Sequence, residues 1–381
     1  MMKIVIAIDK FKGSATSAQL AHAIECTIIK EVPNCDVVKV PIADGGDGTV
    51  NAIKEIMGDK VTFHNVEVHR PIINRKSVKA HFLLDSENHT AYMDLATASG
   101  LALVPQGERD IMSASTYGTG EMIAHAINSG ANHIVLGLGG SATCDGGIGI
   151  LAALGCKFQD ASGDMLPPCA ASLEEIKIVD TRAMDEFTQG VRFTLLTDVD
   201  NPLLGDNGAA AIFAPQKGAT PQQVEILENG LANITHFMPA DVPCVPGAGA
   251  AGGVAAGMMA FLDAKIEPGI DKILSMAHFD EVIHDAHLII TGEGRIDRQT
   301  AMGKAPAGVL RMAQQHNIPV IALCGSVDPK LGGDTLGFSS IIPVTPIGMP
   351  LEEAMRTATT ISCIEKAVHN IISTWNLKKR E

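Results

Sequence analysis

The chain has 381 residues, of which 46% are hydrophobic and 4% aromatic, and a formal net charge of −14 at pH 7. That length suits two domains of roughly 100–200 residues, and the acidic balance excludes nucleic acid, whose phosphates need a basic face. No run supplies the roughly 20 apolar residues of a membrane span; the least polar stretch, 247–262, is mostly Gly and Ala. None of the eight cysteines forms a CxxC pair, and residues 1–19 carry Asp9 and three lysines instead of a signal peptide. Reduced thiols and a cytoplasmic location are expected.

The first segment, KIVIAI (residues 3–8), is a continuous β-branched run, as in a buried parallel strand. A loop, DKFKGS, leads to a helix over 16–30 with Leu20, Ile24 and Ile28 on one face. A second strand over 36–42 ends in ADGGDGT, and a helix over 50–57 follows. Segments 61–68, 78–84 and 90–96 are strand-like and closely spaced, which points to an antiparallel or mixed patch. Next come a helix over 121–128, a strand over 133–138, a helix over 147–154 and a strand over 192–199. Helices are expected over 221–237, 254–262 and 272–285. The strand HLII then runs into a glycine loop. A helix over 306–315, strands PVIALCGS and 340–344, and one long amphipathic helix over 351–375 close the chain.

Both ends carry clean β/α units and the middle mixes strand types. The expected fold is therefore α/β, with a Rossmann-like, mostly parallel domain made from 1–66 and 286–381. A second, mixed α/β domain, 67–285, is inserted in it, and the active-site cleft is expected between the two.

Open α/β sheets bind ligands at the carboxyl ends of their strands. Those ends collect Asp9, Lys12 and Ser14; Asp44 and Asp47; Gly139, Gly140, Ser141, Thr143 and Asp145; Asp198 and Asp200; and Glu293, Arg295 and Asp297. The stretch LGLGGSATCDGGIG (136–149) holds six glycines. It can be an anion cradle of backbone N–H groups with hydroxyls from Ser141 and Thr143, or a crowded turn. It also fits the relaxed dinucleotide fingerprint through Gly137, Gly139 and Ala142, but lacks a ribose-binding acid about 20 residues on. GAGAAGG (247–253) also contains GxGxxG, with no convincing strand before it; close packing on a sheet competes with anion contact there. Asp145 is a ligand contact or a helix cap.

Carboxylates in such loops can hold Mg²⁺ or accept the proton of an attacking hydroxyl. Lys12, Lys217, Arg295 and Lys304 stand beside glycine or hydroxyl residues and are the candidate cations for a small anionic ligand. No HExxH or GxSxG motif is present, so zinc peptidase and serine hydrolase chemistry have no support.

Seven blocks in order resemble the bacterial glycerate kinase family of the glycerate 2-kinase type: DKFKGS, ADGGDGT, GLGGSATCDGG, TDVDNPLLG, APQKGA, GAGAAGG and TGEGRIDRQTAMGKAPAGV. The resemblance implies ATP-dependent phosphorylation of D-glycerate to 2-phosphoglycerate, a two-domain α/β fold and Mg²⁺. Ile8 and Lys10 stand where the family has proline and serine, Cys144 where asparagine is common and Thr197 where cysteine is common. On this reading Asp198 is the catalytic base and Lys12 the catalytic cation. Asp9, Ser14, Asp44, Asp200 and Arg295 bind substrate. Gly139, Gly140, Ser141, Thr143 and Lys217 bind nucleotide, and Glu293 and Asp297 bind metal. Glycerate and ATP are the expected partners, with no nucleic acid or membrane; the oligomeric state, a homo-oligomer included, is left open. The alternative is an NAD(P)-dependent hydroxy-acid dehydrogenase built on 137–142, and a third class is a ligand-binding regulator without chemistry.

Overall fold

The computed structural model describes residues 1–46, 48–72, 77–298, 300 and 303–378. In chain order the strands are β1 (Lys3–Ile8), β2 (Asp36–Lys39), β3 (Thr62–Val68), β4 (Val78–Asp85), β5 (Thr90–Asp94), β6 (His133–Gly137), β7 (Lys157–Gln159), β8 (Ile178–Asp180), β9 (Arg192–Thr197), β10 (Lys265–Pro268), β11 (Leu288–Ile296), β12 (Val320–Val327) and β13 (Ser340–Pro343). They divide between two compact units, 1–44 with 270–381, and 45–269.

The first unit is a five-stranded sheet of order β13-β12-β11-β1-β2, with every pair parallel. Period-2 alternation sends Ile4, Ile6 and Ile8 into one core and Val5 and Ala7 into another. Helices Ser17–Glu31 and Thr357–Lys378 cover the first face through Leu20, Ile24, Ile28, Ile364 and Val368. Helices Gly269–Met276, Phe279–Ile283 and Ala305–Gln315 cover the other through Ile270, Leu274, Phe279 and Val309. Each fully buried isoleucine contributes about 2 kcal/mol over leaving it in water. The helix Ser17–Glu31 starts at a capping box, in which Thr16 Oγ1 accepts the Gln19 amide at 3.2 Å and Gln19 Oε1 accepts the Thr16 amide at 3.0 Å.

The second unit is a six-stranded mixed sheet of order β10-β9-β6-β5-β4-β3. The β3–β4 and β4–β5 pairs are antiparallel and the rest parallel. The pair β7–β8 forms a separate small sheet.

Four sequence expectations change. The domain boundaries move from 66 and 286 to 44 and 270. The reason is that β3 pairs with β4 in the second sheet, whereas Ile270, Leu274, Phe279 and Ile283 fill the core under the first. The glycine loop expected after HLII is strand, because β11 runs on to Ile296 in register with β12. Gly292 allows this, since a Cβ there would stand 2.0 Å from the Leu323 carbonyl oxygen. The helix expected over 272–285 breaks at His278, whose φ is +48°. The closing helix is two, Leu351–Ala354 and Thr357–Lys378; at the break the Thr360 hydroxyl donates to the Ala354 carbonyl at 3.0 Å.

Candidate functional site

In the first unit the candidate residues gather where β1 and β2 end beside the second half of β11. Ile8 is level with Gly292, so the next residues, Asp9 and Glu293, stand side by side. The Asp9 amide donates to the Gly292 carbonyl at 2.9 Å, and Asp9 Oδ1 accepts the Lys10 amide at 2.8 Å. Burial first, then the neighbouring Asp44 carboxylate, pushes the Asp9 carboxyl up to about 7. Glu293 is also pushed up, again chiefly by burial. Its Oε1 accepts the Thr300 hydroxyl at 2.6 Å, and that hydroxyl accepts the Asp297 amide at 3.1 Å. Lys304 Nζ lies 3.6 Å from Glu293 and 3.7 Å from Asp297, a shared cation for the two expected metal ligands. Oxygen donors of this kind suit Mg²⁺, which commonly takes one or two carboxylates and completes its shell with phosphates and water. Among the described residues no group of three or more His, Cys, Asp and Glu is arranged around a metal position.

Lys12 is exposed on a tight turn closed by the Phe11 amide to the Ala15 carbonyl at 2.9 Å. Ser14 is engaged by the C-terminal helix: its hydroxyl bonds that of Thr360, and its carbonyl accepts the Thr357 hydroxyl at 2.6 Å. Arg295 is exposed on β11 and pairs with Asp328 at 3.2 Å. Asp47 lies outside the described residues.

In the second unit three glycine-rich segments pack on one another. A Cβ on Gly139 would stand 2.4 Å from the Gly46 Cα, so the loop after β6 lies directly on the loop before helix Thr49–Met57. Asp94, at the end of β5, caps that helix by accepting the amides of Gly48 at 3.1 Å and Val50 at 3.3 Å. From the other side comes 247–257, where the Gly252 carbonyl accepts the Gly146 amide at 3.0 Å. A Cβ on Gly257 would stand 2.2 Å from the Gly146 carbonyl oxygen. Most of the glycine in 136–149 and 247–253 is therefore explained by backbone packing against backbone.

Asp145 is a cap. Its buried carboxylate accepts the Thr116 amide and hydroxyl at 2.7 and 2.8 Å, and the Gly147 and Gly149 amides at 3.2 and 3.3 Å, ahead of helix Ile148–Ala153. Burial raises its pKa and these donors oppose the rise. Lys217, 4% exposed, donates through Nζ to Ser141 Oγ and to the Thr143 carbonyl, both at 2.7 Å. Burial brings its ammonium down to about 8. Thr143 is wholly buried and its hydroxyl has no partner among the described residues. Gly140 is exposed, and neither its amide nor that of Ser141 bonds another described residue. Asp198, half-buried, and Asp200, exposed, follow β9 in this same unit.

The strand-end residues thus divide: those after β1 and on β11, with Asp44, belong to the first unit, and those after β6 and β9 to the second. The dinucleotide fingerprint at 137–142 fails locally, because residues 138–147 separate β6 from the next helix and Gly137 instead abuts the Gly45 carbonyl. Sequence reasoning missed Thr300, Thr116 and Asp94. Asp94 ends a strand and Thr300 stands three residues after Asp297, so both had a readable signal; Thr116 had none.

The profile of the glycerate kinase family matches residues 4–376. A glycerate kinase of Bacillus cereus is 40% identical over 99% of this chain and 98% of its own. The glycerate 2-kinase of Escherichia coli K12 is 41% identical over 98% of each. A crystal structure from Salmonella typhimurium LT2, provisionally assigned as glycerate kinase 2, superposes with a TM-score of 0.83 at 37% identity over 100% of both chains. With the fold, the order of the strand-end groups and the full-length likeness in agreement, the chain belongs to the glycerate kinase family.

Proposed function

We propose that the protein transfers the γ-phosphoryl group of ATP to D-glycerate, giving 2-phosphoglycerate and ADP. The observation that carries this reading is the end-to-end likeness to the E. coli glycerate 2-kinase, at 41% identity. The dehydrogenase alternative is withdrawn, since the family is one of kinases and the glycine stretch it needed serves packing.

An alcohol is not ionised at neutral pH, so its proton must leave as the phosphoryl group arrives. Asp198 is the proposed acceptor of that proton, with Asp200 a substrate contact. Lys12 offsets the charge of the transferred group, and Asp9, Ser14, Asp44 and Arg295 orient the hydroxy acid. The amides of Gly140 and Ser141, with Gly139 beneath them, are the proposed phosphate donors, supported by Thr143 and Lys217. Glu293 and Asp297 would hold Mg²⁺, which when bound neutralises phosphate charge. Coupled ADP release tests the reading: turnover must require D-glycerate and ATP together, with 2-phosphoglycerate identified as product by ³¹P NMR. Asp198→Asn should lower kcat by at least about a hundredfold with both substrates saturating; near-normal turnover would overturn the base assignment.

A further inference from the structure

Lys217 is a buried cation with no carboxylate in contact with it among the described residues. Among the described residues neither it nor Arg109 is ion-paired with a carboxylate. Asp145 stands near enough to favour the Lys217 charge, but that carboxylate is spent on Thr116, Gly147 and Gly149. An ammonium holds three donors, and two are used, on Ser141 and on the Thr143 carbonyl. Burying such a group uncompensated costs several kcal/mol, and a hydroxyl or amide would tie the loop together without that cost.

A narrow cleft opens beside Lys217. Leu101, Ile111 and Ala142 are among its apolar walls, and Arg109 and Asp110 are the other charged residues that line it. Arg109 Nη1 donates to the Gln216 carbonyl at 3.2 Å, while its Nε is buried and takes no partner. Asp110 is exposed and turned to its own backbone, where Oδ1 accepts the Met112 amide at 3.2 Å. The centre of the cleft has room for about one water-sized group. One anionic oxygen fits there and a nucleoside does not.

We infer that Arg109 and Lys217 together seat one oxygen of a phosphate group in this cleft, the guanidinium through Nε and the ammonium through its third hydrogen. The inference rests on the kinase reading for the source of the phosphate, and it adds Arg109, which no motif marks, to the nucleotide-binding set. The same oxygen puts an anion in direct contact with buried Lys217, which Asp145 reaches only at longer range.

Inorganic phosphate is the probe, added to the full-length protein with chloride at matched ionic strength as the control. Phosphate at about ten times its half-saturating concentration should raise the Tm by about 2–4 °C. Arg109→Gln, at a half-exposed position, should keep the wild-type Tm without phosphate and lose the shift; Lys217→Met should lose it too. In the ATP–glycerate assay Arg109→Gln should raise the KM for ATP about tenfold with kcat within about twofold. An unchanged phosphate shift and KM in Arg109→Gln, with the wild type active, overturns the site. A wild type whose phosphate shift Arg109→Gln abolishes, but which turns over no glycerate, supports the site and overturns the kinase reading.

Discussion

The Asp145 carboxylate binds Thr116 twice, at its amide by 2.7 Å and at its hydroxyl by 2.8 Å, across a separation of 29 residues. Asp145 Oδ1 and Oδ2 also take the Gly147 and Gly149 amides, and the Thr116 hydroxyl in turn accepts the Ile150 amide at 3.0 Å. One buried carboxylate thus closes the glycine loop and ties it to the start of helix Tyr117–Asn128. Asp145→Ala leaves several buried donors unpaired and should cost about 3 kcal/mol. The midpoint of urea denaturation checks this, with Thr116→Val expected to lose less because its amide stays available.

Gly139→Ala should damage the loop by sterics alone. Its Cβ would meet the Gly46 Cα at 2.4 Å, and backbone cannot rotate out of the way as a side chain can. A cost of about 1–3 kcal/mol is expected, with turnover lowered well beyond the loss of folded protein. Comparing kcat per folded molecule, counted by circular dichroism, separates the two effects.

Asp9 makes stability depend on pH. Its folded-state pKa, about 7, lies above the ordinary 3.8, so the folded protein holds the proton more tightly. This contribution is fully present below about pH 4 and is lost as pH rises through about 7. Asp9→Asn should therefore be more stable than wild type at pH 8, on the order of 2 kcal/mol, with the difference vanishing near pH 4. Denaturation midpoints at the two pH values decide it; a pH-independent difference would refute the assignment.

Thr300 acts through Glu293. Its hydroxyl, 2.6 Å from Oε1, opposes the rise that burial imposes on that carboxyl. Thr300→Val should move the acid limb of kcat/KM to higher pH and lower the maximum about tenfold. Thr300→Ser should restore both, which loss of packing would not predict.

Local order was legible wherever short-range physics decides it. The β-branched run KIVIAI, the helix expected over 16–30 and the closely spaced strands at 61–96 each follow from propensity and pattern, and each forms close to its expected place. The glycine stretches were legible as places of close approach, but what approaches was not. In the fold it is often another glycine segment distant in the chain, as Gly46 is at Gly139 and Gly252 at Gly146.

The α/β class, the order of the strand-end groups and the family follow from periodicity and from motifs in linear order. That Asp145 is a cap, that Lys304 bridges Glu293 and Asp297, and that Lys217 is buried against Ser141 emerge in the folded chain alone. These outcomes depend on burial and on partners far away in the chain. A carboxylate or an ammonium has the same formula in every loop, and its role is set by how much water it keeps and which donors reach it.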